Sequence, residues 1–206
     1  ALVIKTWGIG HPPGSPGYVL LAGMFAEVVP VPSSRALVIF SSLFGAMIAL
    51  PIDRILRRLG LSHPYLRFGW LVLGGLLPGV WLQGVRIELY SLSGFLFFLV
   101  VARCLERSVH PKLGRDMITA CCVGLLMSVN LLIGTLAAVL LGSTILFQNR
   151  QDSMISVLGL ALKLSIGILV GLLPYLYFFV VSGATDRFIW GDWQSVNGIW
   201  FYFTGQ

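Results

Sequence analysis

Charge is what this chain has least of. Only 11% of its 206 residues are Asp, Glu, Lys or Arg, while 57% are hydrophobic and the mean hydropathy is +0.90. A soluble globular domain carries about 25% charged residues, so a water-solvated surface over most of the chain is excluded and a bilayer is the expected solvent. Acidic residues are the scarcer sign, 8 against 14 Lys and Arg, for a net charge of +6. The cations sit in gaps between apolar runs. Anionic lipid headgroups are therefore the expected counter-charge, and nucleic acid is not an expected partner. Cysteine is also sparse. Three residues give no disulfide framework, with Cys121 and Cys122 inside an apolar run and Cys104 at the end of another. No Cys/His spacing resembles a zinc site, so the cysteines read as small buried hydrophobes and no metal-ligating residue is assigned, while metal dependence stays open. The sequence has no GxGxxG or P-loop pattern, no fixed-period repeat and no visible signal peptide.

The charges that are present alternate. Arg54, Arg57, Arg58 and Arg67 fall in one gap, Arg103, Arg107, Lys112 and Arg115 in a later one, and Arg150 after the next apolar block. The gaps between hold His11, the Arg86–Glu88 pair, Asn130 and the segment from Asp186 to Asp192. Short loops rich in Lys and Arg mark the cytoplasmic side. The other polar residues are thus expected to share the outer or lumenal face.

Residues 5–16 (KTWGIGHPPGSP) predict an irregular loop stiffened by Pro and Gly. Gly17 to Val29 is too short to cross a ~30 Å core at ~1.5 Å per residue and carries Glu27, which predicts an interfacial or re-entrant helix. Ser33 and Ser34 are expected N-caps of a span from Arg35 to about Ile55. A return span is expected over Tyr65 to Leu82, and a third over residues 87–105. Met117 to Phe147 is uncharged and longer than one crossing needs, which predicts two spans turning near Asn130. Ile155 to Val181 is the last, bent at Gly171 and Pro174, with Lys163 snorkelling from its inner half. That makes about six spans in 35–181 and an external segment over 183–206, all within one transmembrane domain. Starting at Ala1 and stopping at Gln206 in an aromatic segment, the chain is expected to be a fragment of a longer membrane protein.

Four constellations carry chemistry, each open to a plainer reading. His11-Pro12-Pro13-Gly14 holds an imidazole on a rigid loop, for a substrate or simply in water. Glu88 either faces an external cavity or forms an interfacial ion pair with Arg86, worth about 0–1 kcal/mol. Asn130 costs free energy in an apolar run unless it is hydrogen-bonded, either to backbone at a helix turn or to substrate. Trp190-Gly191-Asp192 suits stacking on and hydrogen bonding to a sugar, or an anchored turn, whereas Trp200 to Phe203 reads as an interfacial aromatic belt.

The order HPPG, PGY, a short apolar helix and then PSSRALVIFSSLFGA resembles the start of the lumenal core of C-type, membrane-embedded glycosyltransferases, which use polyprenyl- or dolichyl-phosphate sugars. Within these, the chain is similar to the protein O-mannosyltransferase-like family, formerly a domain of unknown function. Glu88-Leu89-Tyr90-Ser91-Leu92 resembles the family's E-x-Y-x-L, and Gly124 to Asn130 its G-L-x-x-x-N-H. Leu173-Pro174-Tyr175-Leu176-Tyr177 and Trp190-Gly191-Asp192 resemble further family segments. Leu131 stands where the family commonly has His. The family's catalytic carboxylate is expected upstream of Ala1.

The resemblance implies an all-α polytopic bundle that moves a hexose, mannose by the family's habit, from a polyprenyl or dolichyl phosphate to a protein Ser/Thr hydroxyl. The active face would be outside a bacterial inner membrane or inside the endoplasmic reticulum. Glu88 is the expected catalytic residue of this segment. His11, Pro12, Pro13, Gly14, Arg86, Tyr90, Asn130, Trp190 and Asp192 are the expected substrate-binding residues, with Lys5 on the phosphate side. The partners would be membrane lipid, the lipid-phosphate sugar and the acceptor protein, with no further cofactor. A transporter or flippase of a lipid-linked substrate and a non-catalytic scaffold of the same fold are the rival readings.

Overall fold

The computed structural model describes residues 4, 8, 15–107, 112–150, 153–182, 195, 197–198 and 200. Every regular element among them is helical. In chain order these are α1 (Pro16–Val28), α2 (Ser33–Met47), α3 (Ala49–Arg58), α4 (Pro64–Gly75), α5 (Pro78–Val85), α6 (Tyr90–Arg107), α7 (Leu113–Val129), α8 (Leu131–Gln148) and α9 (Met154–Gly171). A 3₁₀ turn (Leu173–Tyr175) and α10 (Leu176–Val181) follow. The expected all-α polytopic bundle is the observed fold.

Three helices are long and apolar enough to cross a membrane: the 26-residue run Ser33–Arg58, Leu131–Gln148 and Met154–Gly171. An 18-residue helix is about 27 Å long, close to the hydrocarbon thickness. α9 leaves Met154, Ile155, Leu158, Leu162, Ile166 and Leu169 exposed, an apolar face suited to lipid tails. The chain is an integral membrane protein. α6 has a similar length but ends in Arg103, Glu106 and Arg107, and α7 begins with Arg115 and Asp116, so charge shortens the apolar part of each.

Three sequence expectations change in detail. Ser33 and Ser34 lie in the first turn of α2, whose N-cap is Pro32 with no side-chain cap bond. The return span over Tyr65 to Leu82 is not continuous. α4 and α5 meet at 70°, a broken span or a re-entrant loop, where Gly74 and Gly75 weaken the helix and Pro78 starts a new one. The run Ser33–Arg58 turns at Ile48 because Pro51 has no N–H to offer the carbonyl four residues back. The two other breaks fall where expected, one at Asn130 and one at Leu172–Tyr175, after Gly171 and around Pro174.

α6 and α7 sit at the centre: α6 contacts α2, α3, α7 and α8, and α7 contacts α1, α6, α8 and α9. The tightest seam joins α7 to α9, which run parallel. A Cβ on Gly124 would overlap the Ile168 carbonyl, one on Gly171 would overlap the Cys121 carbonyl, and one on Gly167 would lie 2.9 Å from Ala120 Cβ. Gly167 and Gly171 have the four-residue spacing that lets helix backbones touch in lipid, where packing rather than water exclusion drives association. An aromatic ladder fixes α1 and α2 to α6: Tyr18–Phe40 (6.0 Å between centroids), Phe25–Phe40 (5.4 Å), Phe40–Phe44 (4.7 Å) and Phe44–Phe95 (5.5 Å).

The gaps of the sequence become two ends of the bundle. At the basic end, Arg107 of α6 donates through Nε to Asp116 of α7 (2.9 Å) and through its guanidinium to the Gln148 side chain of α8. Arg67 of α4 donates to Asp53 of α3 (2.6 Å) and to the carbonyls of Leu61 (3.0 Å) and Ser62. Gly60, at φ +93°, closes α3 there: its N–H bonds the Arg57 carbonyl and the Leu61 N–H bonds the Leu56 carbonyl. This is the left-handed helix stop that glycine adopts without a Cβ penalty.

Candidate active site

The opposite end brings together four stretches far apart in the chain. α1 starts against the end of α7, where a Cβ on Gly17 would overlap Ser128 Oγ. The Leu173–Tyr175 turn touches both α1 and α7. Tyr18, one residue further along α1, lies under Ser41 of α2 and within the field of Glu88. The sequence after His11-Pro12-Pro13-Gly14, the Asn130 turn, the Leu-Pro-Tyr turn and Glu88 thus share one end.

Glu88 lies in the short link from α5 to α6 and is half-buried. Its N–H bonds the Arg86 carbonyl (2.9 Å), which makes a tight turn of the link. The ion pair with Arg86 does not form: among the described residues no cation lies within 4.0 Å of the Glu88 carboxylate, and the Arg86 side chain is exposed. Tyr90 opens α6 with its ring half exposed.

Tyr18 Oη, Ser41 Oγ and Gln83 Oε1 are buried without a hydrogen-bond partner among the described residues. Burial pushes the Tyr18 hydroxyl above its ordinary pKa. Ser41 Oγ opposes that rise and the Glu88 charge adds to it. Tyr18 and Ser41 are neighbours, yet neither oxygen reaches a partner in hydrogen-bond geometry. The surroundings hold these groups firmly. Ser42 Oγ donates to the Gly84 carbonyl (3.0 Å) and Ser91 Oγ to the Gln83 carbonyl (2.9 Å), tying α2, α5 and α6 together. Unpartnered hydroxyl and amide groups cost about 1–3 kcal/mol each when buried and are rare in native interiors. Such groups can donate to and accept from the hydroxyls of a polar ligand, and Tyr18 among them feels the Glu88 charge.

Asn130 caps a helix through its side-chain oxygen. Its N–H closes α7 on the Leu126 carbonyl (2.7 Å), and its side-chain oxygen accepts from the Ile133 N–H (3.1 Å) as the N-cap of α8. The structure shows the helix-turn role of its backbone N–H and side-chain oxygen. His11, Pro12, Pro13, Gly14, Trp190 and Asp192, with Lys5, lie outside the described residues. Among the described residues no three His, Cys, Asp or Glu side chains converge on a common point.

Sequence reasoning had not singled out Tyr18, Ser41 and Gln83. The signal for Ser41 was its place on the buried stripe of α2 with Leu37, Phe40 and Phe44, where an apolar residue is the rule.

The chain is similar to the protein O-mannosyl-transferase TMEM260 of mouse (Mus musculus), with 27% identity over 210 positions, covering 95% of the chain and 28% of that relative. It therefore spans less than a third of the length of the protein it matches. No protein-family model and no solved structure matches it.

Proposed function

We propose that this chain is part of a membrane glycosyltransferase that moves a hexose, mannose on the strength of the resemblance, from a polyprenyl or dolichyl phosphate to a Ser/Thr hydroxyl of an acceptor protein, on the outer or lumenal face. The similarity to a protein O-mannosyl-transferase along nearly the whole chain carries the reading. The geometry that supports it is a half-buried Glu88 with no ion pair among the described residues, whose charge reaches Tyr18 at the end away from the basic loops.

The chemistry needs a base to take the acceptor proton and donors or cations where the leaving phosphate gains charge. Glu88 is assigned to the hydroxyl side. Among the described residues no guanidinium lies within ion-pair distance of it, so its lone pairs are assigned to accept. Tyr18 and Ser41 are assigned to hold sugar or acceptor hydroxyls. Arg86, exposed at the rim, is assigned with His11 and Lys5 to the phosphate, and Asp192 to the hydroxyl side. α1 would be the groove wall along which the polyprenyl chain lies.

The test is mannosyl transfer by the full-length protein in membranes, from a mannosyl lipid phosphate to a Ser/Thr peptide. Glu88→Gln, which keeps shape and removes the charge, is expected to lower turnover by about 10²-fold or more. Normal turnover of the variant would make Glu88 structural. Movement of the lipid-linked sugar across sealed vesicles with no transfer to peptide would replace the enzyme by a transporter.

A further inference from the structure

The basic end carries a groove that the transfer chemistry does not use. Leu50, Asp53, Arg54, Arg57 and Arg58 form one face of α3 and look across a cleft of about 560 Å³ to Glu106 of α6. Arg54 also borders a narrower cavity of about 210 Å³, walled by Leu99 and Arg103 of α6 and by Ile118 and Cys122 of α7. Arg54 lines both spaces, and the narrower one joins its guanidinium to the apolar walls of α6 and α7.

The lining changes character with depth. α6 runs toward the basic end, so Leu99 lies one turn further into the bundle than Arg103. α7 runs away from it, so Cys122 lies one turn deeper than Ile118. Guanidinium groups stand at the mouth and apolar walls lie below. The cations there are not equally committed. Arg57 and Arg67 are held by Asp53, and Arg103 by Glu106 at 2.8 Å. Arg54 and Arg58 make no ion pair among the described residues.

We infer that this groove binds one anionic phospholipid, its phosphate on Arg54 and an acyl chain between Leu99, Ile118 and Cys122. Basic pockets between membrane helices select anionic headgroups, and such lipids are enriched in the leaflet that short Lys- and Arg-rich loops face. The site is distinct from the Glu88 end and does not depend on the transfer reaction.

The experiment is lipid retention by the full-length protein in mild detergent, read by native mass spectrometry with phosphatidylglycerol, phosphatidylcholine or inorganic phosphate. Phosphatidylglycerol is expected to be retained about fivefold or more over phosphatidylcholine, and Arg54→Gln to remove that preference. Arg54 is exposed and makes no ion pair among the described residues, so the variant removes none of the described internal bonds. Ile118→Trp, at an exposed position, is expected to block the acyl crease and lower retention with Arg54 intact. Arg150→Gln, outside the groove, is expected to change nothing. Equal retention of the two lipids overturns the inference. So does a loss with Arg150→Gln as large as with Arg54→Gln, which would mean a diffuse basic face, or displacement by inorganic phosphate, which would mean a free-anion site.

Discussion

The two ends of the bundle treat their polar groups in opposite ways. At the basic end every buried charge is answered: Arg107 by Asp116 and Gln148, and Arg67 by Asp53 and two carbonyls. At the other end Tyr18 Oη, Ser41 Oγ and Gln83 Oε1 are buried with no partner among the described residues, and no described cation lies within 4.0 Å of Glu88. A saturated network fixes helix positions and has nothing left to offer a ligand, whereas an unsaturated one keeps its capacity at a cost to stability. The contrast separates anchor from site without reference to any motif.

It is most exposed to test at Arg107. Asp116→Ala leaves a buried guanidinium with Gln148 as its one partner among the described residues, and a loss of about 3–5 kcal/mol is expected in detergent unfolding. A loss under ~1 kcal/mol would show that the basic end is not an anchor. Asn130→Ala removes a helix cap that belongs to the other end. It should cost about 1 kcal/mol of stability and leave the KM for sugar donor unchanged. A raised KM with unchanged stability would put Asn130 among the site residues instead. Tyr18→Phe has the smallest effect and the opposite sign. Deleting an unpartnered hydroxyl should leave stability unchanged or raise it by about 1 kcal/mol or less, while transfer weakens. If unfolding measurements instead showed a clear destabilisation, the hydroxyl would be partnered and the contrast would fail at that point.

The sequence revealed the breaks that one strong local cause produces. Asn130 interrupts an apolar run too long for one crossing, and Gly171 with Pro174 ends a helix. The α4–α5 break had its signals too, Gly74, Gly75 and Pro78, but the run's length matched a single crossing and hid them. The alternation of basic and non-basic gaps grouped Glu88 with Asn130 correctly. What stayed hidden depends on side chains meeting across helices. Arg107 and Asp116 are separated by a loop, and nothing in their spacing says they pair. Arg86 and Glu88 are two residues apart and do not, because the turn through the Arg86 carbonyl sets the backbone without joining the side chains. Tyr18 and Ser41 look like ordinary helix residues until α1 is laid on α2.

The glycine seam has a consequence for biogenesis. α7 finds its tightest partner in α9, which leaves the ribosome only after α8 has been made. While α8 folds back against α7, the bare strip at Gly124 has no mate, and lipid or an insertion factor must occupy it. A bulky residue at Gly167 or Gly171 would therefore spare the α7–α8 hairpin and spoil the closing step, leaving a protein inserted in the bilayer but unfinished.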